Sequence, residues 1–263
     1  MEQLNEAKDA IIIAISNNKG GVGKTTSTAA IAAALNRSGE KCLMIDADPQ
    51  GNLGTHFGKK KNNASNLYKA ITIAGDRIEL PIIKSEDTAD IVCSHMDLSK
   101  IDAEFSGEAG SVFILKEILE PYKKQYDYIL IDCPPSLGMM TMLALTAANL
   151  VIIPVELAVF ATDGMSNLMQ LITKVKGRLN NALQDPIILM TKFDGRKTIQ
   201  KNFIQLIKKN FKCFSTVIRS NSTVEYSQFN GNDIFKENEF SNVAIDFKKV
   251  AEEIINMNSY EQI

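Results

Sequence analysis

The chain has 263 residues, 45% of them apolar and 23% charged, the balance of a globular protein with room for one large core. A formal net charge of −2 argues for no partner class by itself, and no apolar run reaches the roughly 20 residues that span a bilayer. Four cysteines without a C-x-x-C pair, and only two histidines, give a zinc site, a redox pair or a Ser-His-Asp triad little to work with.

The N-terminal residues 1–6 are polar and acidic and lack the basic-then-apolar order of a signal peptide, so a cytoplasmic protein is expected. Ile11-Ile12-Ile13-Ala14-Ile15 opens a buried strand over 11–16. Residues 19–26 then read Lys-Gly-Gly-Val-Gly-Lys-Thr-Thr, a phosphate-binding loop that opens a helix over 24–38, with Gly39 as its stop. Gly20, Gly21, Val22, Gly23 and Thr26 supply the cradle. Its glycines let successive backbone N–H groups turn inward on a phosphate, and the helix adds its positive N-terminal end. Lys24 can reach the β- and γ-phosphates, and the Thr25 hydroxyl can ligate magnesium. Asn18 takes the place of the pattern's first glycine; Asn tolerates a left-handed turn better than most residues. Lys19 is a charge that a single bound nucleotide leaves unexplained.

Cys42-Leu43-Met44-Ile45-Asp46 is the second strand, and Ala47-Asp48-Pro49-Gln50-Gly51-Asn52 follows it. Carboxylates at i and i+2 point the same way from an extended chain. Asp46 is assigned to the outer coordination of magnesium and Asp48 to orienting or deprotonating an attacking water. Asp-Pro and Gln-Gly also mark this stretch as a turn. Residues 55–110 are less regular: a short helix is expected near 65–73, a strand near 90–93 and a helix near 98–105. A helix over 111–123 leads into the strand Tyr128-Ile129-Leu130-Ile131-Asp132, which delivers Asp132 as a second carboxylate for magnesium. A helix over 139–147, a strand over 151–155, a helix over 162–178, a strand over 186–191, a helix over 199–210, a strand over 213–218 and a helix over 242–257 complete the chain.

Such alternation is the signature of an α/β fold with a mostly parallel sheet flanked by helices. Each key residue falls at the carboxyl end of a strand, where open α/β sheets bind ligands. No repeat or linker interrupts the pattern, so a single domain over 1–263 is expected. Charge is unevenly spread: residues 171–220 carry eleven Lys and Arg against Asp185 and Asp194, a local excess of +9 on an otherwise acidic chain. Such a surface suits DNA phosphates in a sequence-independent, salt-sensitive way. Arg219, Lys192, Arg196 and Lys197, each close after a strand end, are the candidate contacts.

The three motifs, Lys-Gly-Gly-Val-Gly-Lys-Thr-Thr, Asp-Ala-Asp-Pro-Gln-Gly-Asn and Tyr-Ile-Leu-Ile-Asp-Cys-Pro-Pro, in this order resemble the ParA/MinD (SIMIBI) deviant-Walker ATPases, most of all the Soj-like ParA partition branch. Thr191–Arg196 and Ile218–Asn221 resemble later stretches of the same proteins, and the likeness runs from about residue 10 to 257. The resemblance implies a P-loop fold, ATP and Mg2+, and slow ATP hydrolysis. It implies a homodimer sandwiching two nucleotides, in which Lys19 crosses to the partner's phosphates. It further implies non-specific DNA binding on the nucleoid and a ParB-like centromere-binding partner, in plasmid or chromosome segregation. Only ten residues precede the first strand, so no N-terminal helix-turn-helix arm is expected. The alternative is a MinD-like or cargo-positioning relative. The apolar stripe at 247, 250, 251 and 254, flanked by Glu252 and Glu253, reads as core packing rather than a membrane helix, so no membrane partner is expected.

Overall fold

The computed structural model describes residues 8–59, 65–73, 79–105, 107–108, 110–157 and 162–260, with only the backbone described at 162–164 and 258–260. In chain order the elements are β1 (Ile11–Ile15), α1 (Lys24–Arg37), β2 (Cys42–Asp46), α2 (Asn52–His56), α3 (Leu67–Thr72), β3 (Ile82–Ile83), β4 (Asp90–Val92), α4 (Ile101–Glu104), α5 (Ile114–Leu119), β5 (Tyr128–Asp132), α6 (Met139–Ala147), β6 (Leu150–Glu156), α7 (Thr162–Arg178), β7 (Ile187–Thr191), α8 (Thr198–Asn210), α9 (Thr223–Asn230), α10 (Ile234–Asn238) and α11 (Asn242–Tyr260). The strands form one sheet in the order β3-β4-β2-β5-β1-β6-β7. All neighbours are parallel except β3 against β4.

The strands are apolar along their whole length because both faces of the sheet are covered. Alternate residues feed two cores. Ile12, Ala14, Leu43, Ile45, Ile129 and Ile131 face α5, α6 and α7. Ile13, Ile15, Cys42, Met44, Tyr128 and Leu130 face α1 and α11. Phe247, Val250, Ala251 and Ile254 are buried in that second core, so the C-terminal stripe packs inward as expected. β1 lies inside the sheet, with β5 on one side and β6 on the other. The loop leaving it therefore opens at the topological switch point.

Three expectations need correction. The helix near 98–105 is a 3-10 turn over Met96–Lys100 followed by the short α4. That over 111–123 divides into a 3-10 turn, α5 and a second 3-10 turn containing Pro121, which lacks the N–H needed to continue the helix. Residues 213–218 are no strand. They run beside β7 with isolated bridges at Ile188–Cys213 and, beyond its end, at Phe193–Arg219, and with a hydrogen bond from Ile218 N–H to the Met190 carbonyl (2.9 Å). Between these contacts the Glu253 carboxylate accepts the N–H groups of Ser215 (2.8 Å) and Thr216 (3.0 Å), drawing the chain off the sheet toward α11. The elements α2, β3, α9 and α10 carry no sequence signal, being two to eight residues long and without a clear apolar period.

Candidate functional site

The sequence after β1 turns on Gly21 (φ 75°) and Gly23 (φ 94°), a backbone region that a side chain enters only with strain. Asn18 does not take a left-handed conformation; the glycines do. Gly23 caps α1 without a side-chain acceptor, and the first turn holds no acid, so the amino-terminal N–H groups keep their capacity for an anion. A Cβ at Gly20, Gly21 or Gly23 would meet nothing within 4 Å, as expected of a cradle whose occupant is a ligand.

Lys24 is 8% exposed and its Nζ donates to the Lys19 carbonyl at 3.1 Å, closing the loop on itself. Burial pushes its pKa down, and Asp132 opposes that shift. Lys19 is anchored by its backbone N–H to Asn17 Oδ1 (3.0 Å). Val22 is buried, and its carbonyl accepts the Thr191 hydroxyl at 2.9 Å, tying the loop to the end of β7. Thr191 carried no sequence signal for this role.

The register Asp46↔Asp132 across β2 and β5, beside Ile15↔Asp132 across β1 and β5, brings both carboxylates to one level at the mouth of the loop. Both are fully buried. Desolvation drives the pKa of each well above the carboxylate range; the Asp48 charge adds to the rise at Asp46, and the Asp46 charge to that at Asp132. Asp46 accepts the N–H groups of Asp48 (3.3 Å) and Gly54 (3.0 Å). Asp132 Oδ1 accepts the Thr28 hydroxyl at 3.4 Å, while its Oδ2 is buried without a partner among the described residues. Such an orphaned oxygen beside Lys24 and Thr25 suits a bound cation or its water. No group of three or more His, Cys, Asp or Glu among the described residues could hold a metal alone. The Thr25 hydroxyl and phosphate oxygens would complete the coordination, so the residues present fit magnesium with a nucleotide.

Asp48 is 8% exposed and lines the same cavity of about 800 Å³ as Gly20, Gly21, Gly23, Lys24, Thr25 and Thr26. The far wall comes from Ile218, Val224, Val243 and Phe247. Gln228, on α9, donates to the Thr26 hydroxyl at 3.3 Å. This far wall was not read from the sequence, because it is assembled from segments about 200 residues away whose spacing has no motif.

The basic candidates gather at the neighbouring edge. Phe193 N–H donates to the Ile218 carbonyl (2.9 Å) and Ser220 N–H to the Phe193 carbonyl (2.9 Å), which brings Lys192 beside Arg219. Both line the cavity. Each of three candidates has a carboxylate partner: Lys192 with Glu156 (3.3 Å), Arg196 with Asp194 (2.9 Å) and Arg219 with Asp246 (2.7 Å). Lys197 is exposed at the start of α8.

A family profile described as an AAA domain matches residues 10–185. The sporulation initiation inhibitor protein Soj of Bacillus subtilis is 35% identical over 85% of this chain and 89% of its own length. The chromosome partitioning protein ParA of Myxococcus xanthus is 38% identical over 76% of this chain and 71% of its own. Among solved structures, a plasmid partition protein from Borrelia burgdorferi bound to AMPPNP superposes with TM-score 0.77 and 26% identity over 95% of this chain and all of that one. Cobyrinic acid a,c-diamide synthase from Mycobacterium smegmatis, with ADP and magnesium, gives TM-score 0.80 and 25% identity over 94% of both chains. With its phosphate loop between β1 and α1, its paired aspartates on β2 and β5 and these relatives, the chain belongs to the ParA/Soj family of P-loop ATPases.

Proposed function

We propose that this protein hydrolyses ATP with Mg2+, closes into a nucleotide-dependent homodimer, and in that state binds DNA without sequence preference to segregate a plasmid or chromosome with a ParB-like partner. The observation that carries the reading is a single cavity in which a buried lysine, a glycine cradle and Asp48 converge. Lys24 and the backbone N–H groups of residues 20–26 hold the triphosphate. Thr25 ligates magnesium, with Asp46 and Asp132 behind it. Magnesium, when bound, supplies positive charge to the phosphate oxygens. Asp48 orients the water and accepts its proton as the new O–P bond forms at the γ-phosphorus and the bond to ADP breaks. Lys19 reaches the partner's phosphates across the twofold axis, where each subunit makes the same contact on the other.

Arg219, Lys192, Arg196 and Lys197 form the DNA-facing edge, exchanging carboxylate partners for phosphates. The place of action is the cytoplasm, on the nucleoid. Among the described residues no helix is long and apolar enough to cross a membrane. The burial of Phe247, Val250 and Ile254 disfavours the alternative of a MinD-like tail lying on lipid.

The test is Asp48→Ala. It should keep ATP binding, ATP-dependent dimerisation and DNA binding while turnover falls by about 10²–10⁴. Wild-type turnover in that variant would remove Asp48 from the chemistry. In its background Lys19→Ala should sediment as a monomer with ATP. Arg219→Glu should flatten the salt dependence of DNA binding. Undiminished ATP-dependent DNA affinity in Arg219→Glu would remove that residue from the interface.

A further inference from the structure

The loop that carries Asp48 runs from the end of β2 to the start of α2 at Asn52 and belongs to neither element. Its geometry is nonetheless fixed. Asp48 N–H donates to Asp46 Oδ1 (3.3 Å), and Gln50 N–H donates to Asp48 Oδ1 (3.0 Å). The Asp48 carbonyl accepts the Gly51 N–H at 2.9 Å and a short hydrogen bond from the Ser94 hydroxyl. Ser94 lies just beyond β4, is 1% exposed, and reaches the loop from a strand parallel to β2. The two segments are packed without slack at this level: a Cβ at Gly54 would meet Cys93 Sγ at 3.0 Å.

We propose that Ser94 is a positioning residue for hydrolysis, fixing the main chain of Asp48 so that its second carboxylate oxygen, Oδ2, is held toward the γ-phosphate position. This rests on the reading of Asp48 given above. The three other contacts of Asp48 all lie within its own loop, from Asp46 to Gly51, and would move with it. Its neighbour Ala47 donates its N–H to the Asp132 carbonyl at the end of β5 (3.0 Å), and Ser94 is the hydrogen bond that ties Asp48 itself to another strand. Without the Ser94 hydroxyl the Asp48 carbonyl keeps its Gly51 bond and Ala47 its bond to Asp132, so the loop stays folded while Asp48, beyond Ala47, loses its own tie to the sheet. Nothing in the Asp-Ala-Asp-Pro-Gln-Gly-Asn motif points to Ser94, which is 46 residues away.

The experiment measures steady-state ATP turnover and ATP affinity for wild type, Ser94→Ala, Ser94→Cys, Asp48→Ala and the double variant Ser94→Ala/Asp48→Ala. Loss of one neutral hydrogen bond predicts a fall in kcat of about three- to tenfold in Ser94→Ala, with ATP affinity unchanged. Ser94→Cys, nearly isosteric and a weaker donor, should fall between, and it carries the test if Ser94→Ala lowers the melting temperature. In the Asp48→Ala background the serine change should add no further loss, because the group it positions is gone. Wild-type kcat in both serine variants, or an equal loss in the Asp48→Ala background, would overturn the role of Ser94 alone. Wild-type turnover in Asp48→Ala would instead overturn the assignment of Asp48.

Discussion

Two parts of the sheet's carboxyl edge carry charge in different ways. At β1, β2 and β5 the charges are few and sunk: Lys24 is 8% exposed, and Asp46 and Asp132 are wholly buried. Beyond β7 they are many and outside: the Arg196 side chain is 91% exposed and that of Arg219 39%. In the first region desolvation changes what each group is, and the lysine and the carboxylates all depart from their ordinary pKa values. In the second, the fold supplies counterions. Glu156 and Asp246 lie outside the 171–220 window, yet they pair with Lys192 and Arg219 inside it. The +9 excess read along the sequence therefore overstates the charge that the surface presents. A charge count has meaning only after the neighbours in space are known.

The sharpest way to break this contrast is at Lys24. Lys24→Ala should weaken ATP binding by about 10- to 100-fold, the worth of charge-assisted hydrogen bonds in a sheltered site. Unchanged affinity by calorimetry would mean that the buried lysine does not face the nucleotide.

A second test uses pH. Burial first, then the charge of Asp48 on Asp46 and of Asp46 on Asp132, pushes Asp46 up to about 7 and Asp132 up to about 8. The folded protein then binds more protons than the unfolded chain from about pH 4 upward, so stability falls as pH rises through the folded values. The melting temperature without nucleotide should therefore drop between pH 5 and 8. Asp132→Asn should flatten that slope, and Lys24→Ala should steepen it, because Lys24 lowers the Asp132 pKa. A slope indifferent to Asp132→Asn would show that the pair is not strained in solution.

A third test separates two of the three ion pairs of the outer region. Asp246 is 6% exposed and accepts from the Arg219 backbone N–H (3.0 Å), Nε (2.9 Å) and Nη2 (2.7 Å). Asp246→Ala should cost about 1–3 kcal/mol in urea denaturation. Arg196→Ala, at the most exposed pair, should leave the denaturation midpoint within error. Equal effects would erase the distinction between them. A small gain is expected at Lys192, the only non-glycine with positive φ (55°) among the described residues. Lys192→Gly should relieve that strain and gain up to about 1 kcal/mol, less the entropy cost of glycine. A loss of stability would show that the Lys192–Glu156 pair outweighs the strain.

The sequence by itself determined the sheet's central strands and the phosphate site. Ile11–Ile15, Cys42–Asp46 and Tyr128–Asp132 are apolar throughout because both faces are covered, so they announce themselves without knowledge of their neighbours. Lys19 to Thr26 is legible for a similar reason: a loop, a lysine and a helix start act on one phosphate within a few residues, so the chemistry is local. What the sequence left open depends on contacts between distant segments. The irregular course of 213–218 is decided by Glu253, 37 residues or more away. Lys192 takes its counterion from Glu156 and Arg219 from Asp246. The wall formed by Val224, Val243 and Phe247, and the support of Asp48 by Ser94, exist only once β2, β4, α9 and α11 are assembled. Side-chain pairing across the fold has no period along the chain, and that is why only the tertiary structure could decide it.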